Sequence, residues 1–209
     1  MKTRPRRDRL KPRKRPVQSR SASTVNAIVE AAARILEERG LDGYTTNAIA
    51  ERAGVSIGSL YQYFPGKDAV TAALLERETA VLWADFIAAR EERDWRIRLR
   101  LMIRAAVQHQ MRRPTLARLL DFEESRLVDR SRDPRAKSAN DAIAEVLRMA
   151  SARSSDNVSV QASDLIAIVR GLTDAAGERG ETDALALERR VSRAVFGYLG
   201  RPERRSREA

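Results

Sequence analysis

Residues 45–67 read TTNAIAERAGVSIGSLYQYFPGK, and the punctuation of that stretch decides the fold. Ser and Thr side chains accept hydrogen bonds from the unpaired N–H groups of a helix's first turn. Thr45 or Thr46 therefore caps a short helix over about 46–53, and Ser56 caps a second over Ile57 to Phe64. Gly54 stands between them, where a tight turn demands a positive φ that only glycine adopts cheaply. Val55 is apolar at the bend and plugs the joint. Pro65-Gly66 then breaks the second helix, and Lys67 opens a longer one to about Ala89.

Two short helices joined by a glycine turn form a helix-turn-helix, whose second helix can enter the major groove of DNA. Leu60 and Phe64, four apart, face the core, and Ile57, Gly58, Tyr61 and Gln62 share the opposite side. Gly58 permits close backbone approach, Gln62 offers an amide to a base edge, and tyrosine hydroxyls can donate to phosphates. Lys67 at a helix start can hold a phosphate with its ammonium and the positive helix end.

The pattern outside this motif is helical as well. Upstream, Ile28, Ala32, Ile35 and Leu36 stripe a helix that Ser21, Ser23 or Thr24 can cap and Gly40 ends. Downstream, Trp95 to Leu101 alternates apolar and Arg as a strand would, but a strand without a partner leaves its backbone unsatisfied, so this stretch is read as helix continuing to Met111. Pro114 and Pro134 suit the first turns of two further helices, ending near Arg126 and Ala152. Ser151 to Asn157 reads as a loop. Two last helices turn Leu165, Ile166, Val169 and Leu172, then Leu187, Val191, Val195, Tyr198 and Leu199, inward, with Gly177 and Gly180 at their join. The class is all-α.

Composition narrows the function. The chain's 209 residues are 43% apolar, enough to bury a core. No apolar run reaches the ~18 residues of a membrane span, and the charged, Pro-dotted start is unlike a signal peptide, so a cytoplasmic protein is expected. Cysteine is absent and histidine occurs once, which removes disulfides, thiolate nucleophiles and most metal sites. There is no P-loop, dinucleotide fingerprint or paired catalytic carboxylate spacing, so no enzyme, cofactor or metal is expected. The acids Asp121, Glu123 and Glu124 read as a solvated helix face.

Charge is concentrated. Residues 1–20 hold ten Lys or Arg against one acid, Asp8, which accounts for +9 of the formal +11. Such a block repels itself and lacks apolar groups to fold on. It reads as a basic arm able to enter a minor groove, or as a solvated tail.

The segment from Ile28 to Leu75 resembles the N-terminal domain of the TetR family of bacterial transcriptional regulators. The alanines of the first helix, Gly54-Val55-Ser56, Leu60-Tyr61, Tyr63-Phe64 and Lys67 fall at the family's spacing. Many members have an arginine near the start of the first helix, where this chain has Val25 and Ala27. The resemblance implies phosphate contacts from Thr45 or Thr46, Ser56, Tyr61, Tyr63 and Lys67, with simple capping an equal reading of the threonines. It implies base-edge or groove contacts from Ile57, Gly58, Ser59 and Gln62. Ile57 is informative, since members often carry a polar residue there and an isoleucine offers only apolar contact, for example to a thymine methyl.

The implied organisation is a basic arm over 1–20, a helix-turn-helix DNA-binding domain over 21–68, a helical effector-binding and dimerisation domain over 69–200, and a charged tail over 201–209. The implied function is a ligand-responsive repressor that binds a palindromic operator in double-stranded DNA as a homodimer. A ligand-independent or architectural DNA binder using the basic arm is the alternative. The last two helices would join the dimer, or else serve as internal core. The effector's chemistry and binding residues are not read from the sequence; Trp83, Phe86, Trp95, Met102, His109, Met111 and Phe122 are candidate pocket liners, with ordinary core or surface the first reading of each.

Overall fold

The computed structural model describes residues 19–127, 134–150 and 157–200. Its elements are α1 (Ser19–Arg39), α2 (Thr46–Arg52), α3 (Ile57–Tyr63), α4 (Lys67–Ala89), α5 (Trp95–Arg112), α6 (Pro114–Leu127), α7 (Pro134–Ala150), α8 (Val158–Glu178) and α9 (Ala184–Leu199). Among the described residues there is no strand. Basic residues 1–18, the tail from 201 and most of the expected loop at 151–157 lie outside the described residues.

The described residues fall into two compact units. The first takes the chain up to Ala80 together with the stretch from Thr115. Its core is built from α1 (Ile28, Ala32, Ile35, Leu36), from Ile49, Leu60 and Phe64 of the two short helices, from Val70 and Leu74 of α4, and from Leu116 and Leu120 of α6. The second unit takes Val81 to Pro114 and the chain beyond 131. There α5 packs against α7, α8 and α9, burying Leu99, Met102, Ile103, Val146, Leu165, Leu187, Val191 and Val195.

Several local expectations change. α1 starts at Ser19, so Ser21, Ser23 and Thr24 lie within the helix rather than capping it. Gly177 is helical, and Gly180 alone makes the turn after α8, with φ +65. Tyr198 points outward, 39% exposed, and donates to the Asp164 carboxylate at 2.6 Å.

The alternating stretch is helical because each arginine finds its own partner around α5. The Arg96 and Arg100 guanidinium groups lie over the Trp95 and Phe196 rings at 4.4 and 5.1 Å. Arg104 pairs with Glu188 at 3.2 Å. Arg98 is buried and donates to Glu145 of α7 at 3.0 Å, leaving its Nε without a partner.

Candidate nucleic-acid interface

The helix-turn-helix is held by its caps. Thr45 is the N-cap of α2, its hydroxyl accepting from Ala48 N at 3.2 Å. Ser56 caps α3, accepting from Ser59 N at 3.0 Å, and its hydroxyl meets that of Ser59 at 2.8 Å. Between them Gly54 has φ +67, and a Cβ there would meet nothing within 4 Å. The requirement for glycine is therefore one of backbone conformation, not of space. Val55 N donates to Ala50 O and Gly54 N to Glu51 O, the pair of bonds that closes a helix through a left-handed residue. Val55 packs on the core beside it.

This turn fixes which side of α3 faces outward. Leu60 and Phe64 are fully buried, while Ile57 and Tyr61 are 39% and 41% exposed and Gly58 and Gln62 are exposed with them. A ridge of Ile57 and Tyr61 thus runs beside Gly58 and Gln62. The Tyr61 hydroxyl lies 3.3 Å from that of Thr46, tying the two short helices at their outer edge. Thr45 and Ser56 are exposed, and Thr46 and Ser59 half-buried. Tyr63 is half-buried and packs against the core, so less of it is offered outward than of Tyr61.

Lys67 opens α4 and sits above Tyr44, its Nζ 5.4 Å from the ring centroid. No ion pair of Lys67 occurs among the described residues. Arg34 and Arg52, by contrast, are taken up by Glu30 at 2.9 Å and by Glu38 at 2.6 Å. Beneath Lys67 runs a relay. Thr71 donates its hydroxyl hydrogen to Lys67 O at 3.0 Å, and so accepts from the Tyr44 hydroxyl at 3.0 Å. Tyr44 is 1% exposed, and burial pushes its phenol up to about 12, which keeps it a neutral donor.

Beside Lys67, Asp68 is held by Arg126 of α6 at 2.7 Å, and Arg126 also holds the buried Glu123 at 2.8 Å. Tyr44, Thr71, Asp68, Glu123 and Arg126 are absent from the sequence-derived site. The aromatic Tyr44 directly before the capping threonines was a usable signal; pairing across 58 positions leaves none. Glu123 is 3% exposed, which corrects the expectation of a solvated face.

The candidate pocket liners scatter. Met102 is core, and Phe86, Trp95 and Met111 pack on it. Trp83 meets Phe86 edge-on at 5.6 Å. Phe122 is 59% exposed and belongs to the first unit. His109 lines a small cleft between α4 and α5 with Val81, Leu82, Asp85, Ala105, Gln108 and Arg112.

A three-helix head presenting one helix outward, followed by a helical bundle, defines a helix-turn-helix regulatory protein. Residues 28–74 match the family model described as bacterial regulatory proteins, tetR family, and residues 94–199 match that described as tetracyclin repressor-like, C-terminal domain. The second match alone spans half of the sequence, and the chain belongs to the TetR family.

Nucleoid occlusion factor SlmA of Vibrio atlanticus (strain LGP32) is 33% identical over 119 residues, 54% of this chain and 61% of that protein. The tetracycline repressor protein class A from transposon 1721 of Escherichia coli is 39% identical over 71 residues, 34% of this chain and 32% of that one. The matched stretch thus covers less than two thirds of the length of either of these relatives. A TetR-like transcriptional regulator from Rhodococcus sp. RHA1 shares the fold, with a TM-score of 0.69 at 19% identity, covering 90% of this chain and 100% of that one.

Proposed function

We propose that this chain is a sequence-specific, DNA-binding transcriptional repressor of the cytoplasm that binds a palindromic operator as a homodimer and is released by a small-molecule effector. The observation that carries the reading is the sidedness of α3. Its large apolar side chains Leu60 and Phe64 are wholly buried, yet Ile57 and Tyr61 stay exposed next to Gly58 and Gln62. An exposed apolar ridge beside an amide is costly against water and suits a groove lined with base edges.

Thr45, Thr46, Ser56, Tyr61, Tyr63 and Lys67 would hold phosphates around that groove. Ile57, Gly58, Ser59 and Gln62 would face the bases. Two copies, related by a two-fold axis, would place their reading helices about one DNA turn, ~34–36 Å, apart. The match of 94–199 to a repressor's C-terminal domain supports the effector and dimer roles of the second unit. Val160 and Leu185, 53% and 66% exposed on α8 and α9, are apolar groups that a partner surface would cover. An effector can release DNA only by preferring one spacing of the heads over another.

The test is selection of duplexes from a random pool by the full chain, followed by competition with excess random DNA. We expect an imperfect palindrome to be enriched and to survive competition. The Tyr61→Ala, Lys67→Ala double variant should lose at least about a hundredfold in affinity for it, from two charge-assisted or hydroxyl contacts per head. Undiminished binding by that variant, or uniform retention of random duplex, would refute the reading.

A further inference from the structure

Next to Lys67 on α4 is a carboxylate that an arginine on another helix takes up. Lys67 is followed directly by Asp68, whose carboxylate is the nearest anion in sequence and would otherwise compete with a phosphate for the same ammonium. Arg126 Nη2 donates to Asp68 Oδ1 at 2.7 Å. Arg126 is anchored through Nε and Nη2, which both donate to Glu123, at 3.2 and 2.8 Å. Glu123 is itself 3% exposed on a helix whose Leu116 and Leu120 are sunk in the core of the first unit. A buried carboxylate must keep its cation, so Glu123 fixes the guanidinium at the place where it meets Asp68.

We infer that Arg126 is a positioning residue for the DNA contact: by occupying the Asp68 carboxylate it leaves the Lys67 ammonium, poised over Tyr44, for a backbone phosphate. This rests on the DNA-binding reading above. It also requires the planar fork of arginine, whose several donors can serve two carboxylates where a lysine ammonium acts as a point charge. α6 then belongs to the reading head in function as it does in packing.

The experiment uses the full chain and the duplex that the unchanged protein selects from a random pool. Arg126→Lys keeps a cation for Glu123 and surrenders Asp68. We expect it to bind roughly tenfold more weakly, the loss of one charge-assisted phosphate bond. The slope of log affinity against log salt should fall by about 0.9 per reading head. Adding Asp68→Asn should restore affinity to within about twofold, since the competing anion is gone. On a Lys67→Ala background Arg126→Lys should cost nothing more.

Should Arg126→Lys unfold, Glu123→Gln with Arg126→Met removes both the buried carboxylate and its cation and carries the same expectations. Full affinity in either folded variant, a loss that Asp68→Asn does not repair, or a loss that adds to that of Lys67→Ala would overturn the inference while leaving the DNA-binding reading in place. Enrichment of no duplex by the unchanged protein would overturn both.

Discussion

At the scale of single residues, Ile57 carries the sharpest consequence. It is 39% exposed at the first position of α3, and it has no donor or acceptor with which to read a base. The apolar group a major groove displays is the thymine 5-methyl. In the duplex that the protein selects, replacing the thymine opposite Ile57 by uracil removes one methyl and keeps every hydrogen bond. Affinity should fall roughly fourfold per half-site, from about 0.8 kcal/mol for a methyl-sized group. The Ile57→Ala variant should not distinguish the two duplexes in a titration. Equal affinity of the unchanged protein for thymine and uracil at every position would remove the proposed contact. Ile57, Gly58, Tyr61 and Gln62 were legible as an outer face because helical spacing alone separates them from Leu60 and Phe64. For Tyr44 the legible part was its place before the capping threonines; its hydrogen bond to Thr71, 27 positions away, leaves no mark on spacing.

At the scale of elements, α5 shows where pattern reading meets its limit. Strict alternation over Trp95 to Leu101 has the period of a strand, and what favours the helix there is tertiary: stacking for Arg96 and Arg100 and an ion pair for Arg98, with Arg104 paired just beyond. Glu145 is the hinge of the α5–α7 packing. Hydrogen bonds from Arg90 at 2.7 Å, then from Arg98 at 3.0 Å, hold its carboxyl below the usual carboxylate range. A carboxyl whose folded pKa is depressed adds stability above its unfolded pKa and loses it as pH falls through the folded one. Urea denaturation should therefore find Glu145→Gln less stable than the unchanged protein near neutrality, with the gap closing as the solution is acidified below the ordinary glutamate pKa. Arg98→Met should be close to neutral by comparison, because it removes a buried donor that lacks a partner at Nε. A gap between Glu145→Gln and the unchanged protein that does not narrow in acid would count against this account.

At the scale of the whole molecule, a helix-turn-helix head followed by a helical bundle was legible, but the division between the compact units was not: it falls inside α4, after Ala80, and not at Pro65-Gly66. Nor was the place of α6 in the first unit, since Leu116 and Leu120 look like any bundle residues until their neighbours are known. The same scale governs affinity. From Ser21 to Lys67 the chain has four basic residues and five acids, and of those cations Arg34 and Arg52 are spent on Glu30 and Glu38. The two that remain, Arg39 and Lys67, cannot supply the long-range attraction that DNA binding draws from phosphate neutralisation. Residues 2–18 bring nine Lys or Arg against one acid, and we propose that they supply it. Deleting 2–18 leaves α1 intact from Ser19. If that segment neutralises one or more phosphates per protomer, the deletion should lower the magnitude of the log affinity–log salt slope by about 0.9 for each, a total near 2 or more for the dimer. Preference among selected palindromes should change less than affinity, because α3 still faces the bases. The measurement is a salt series of binding isotherms on the selected duplex for both chains, and parallel slopes would assign the basic segment no part in holding DNA.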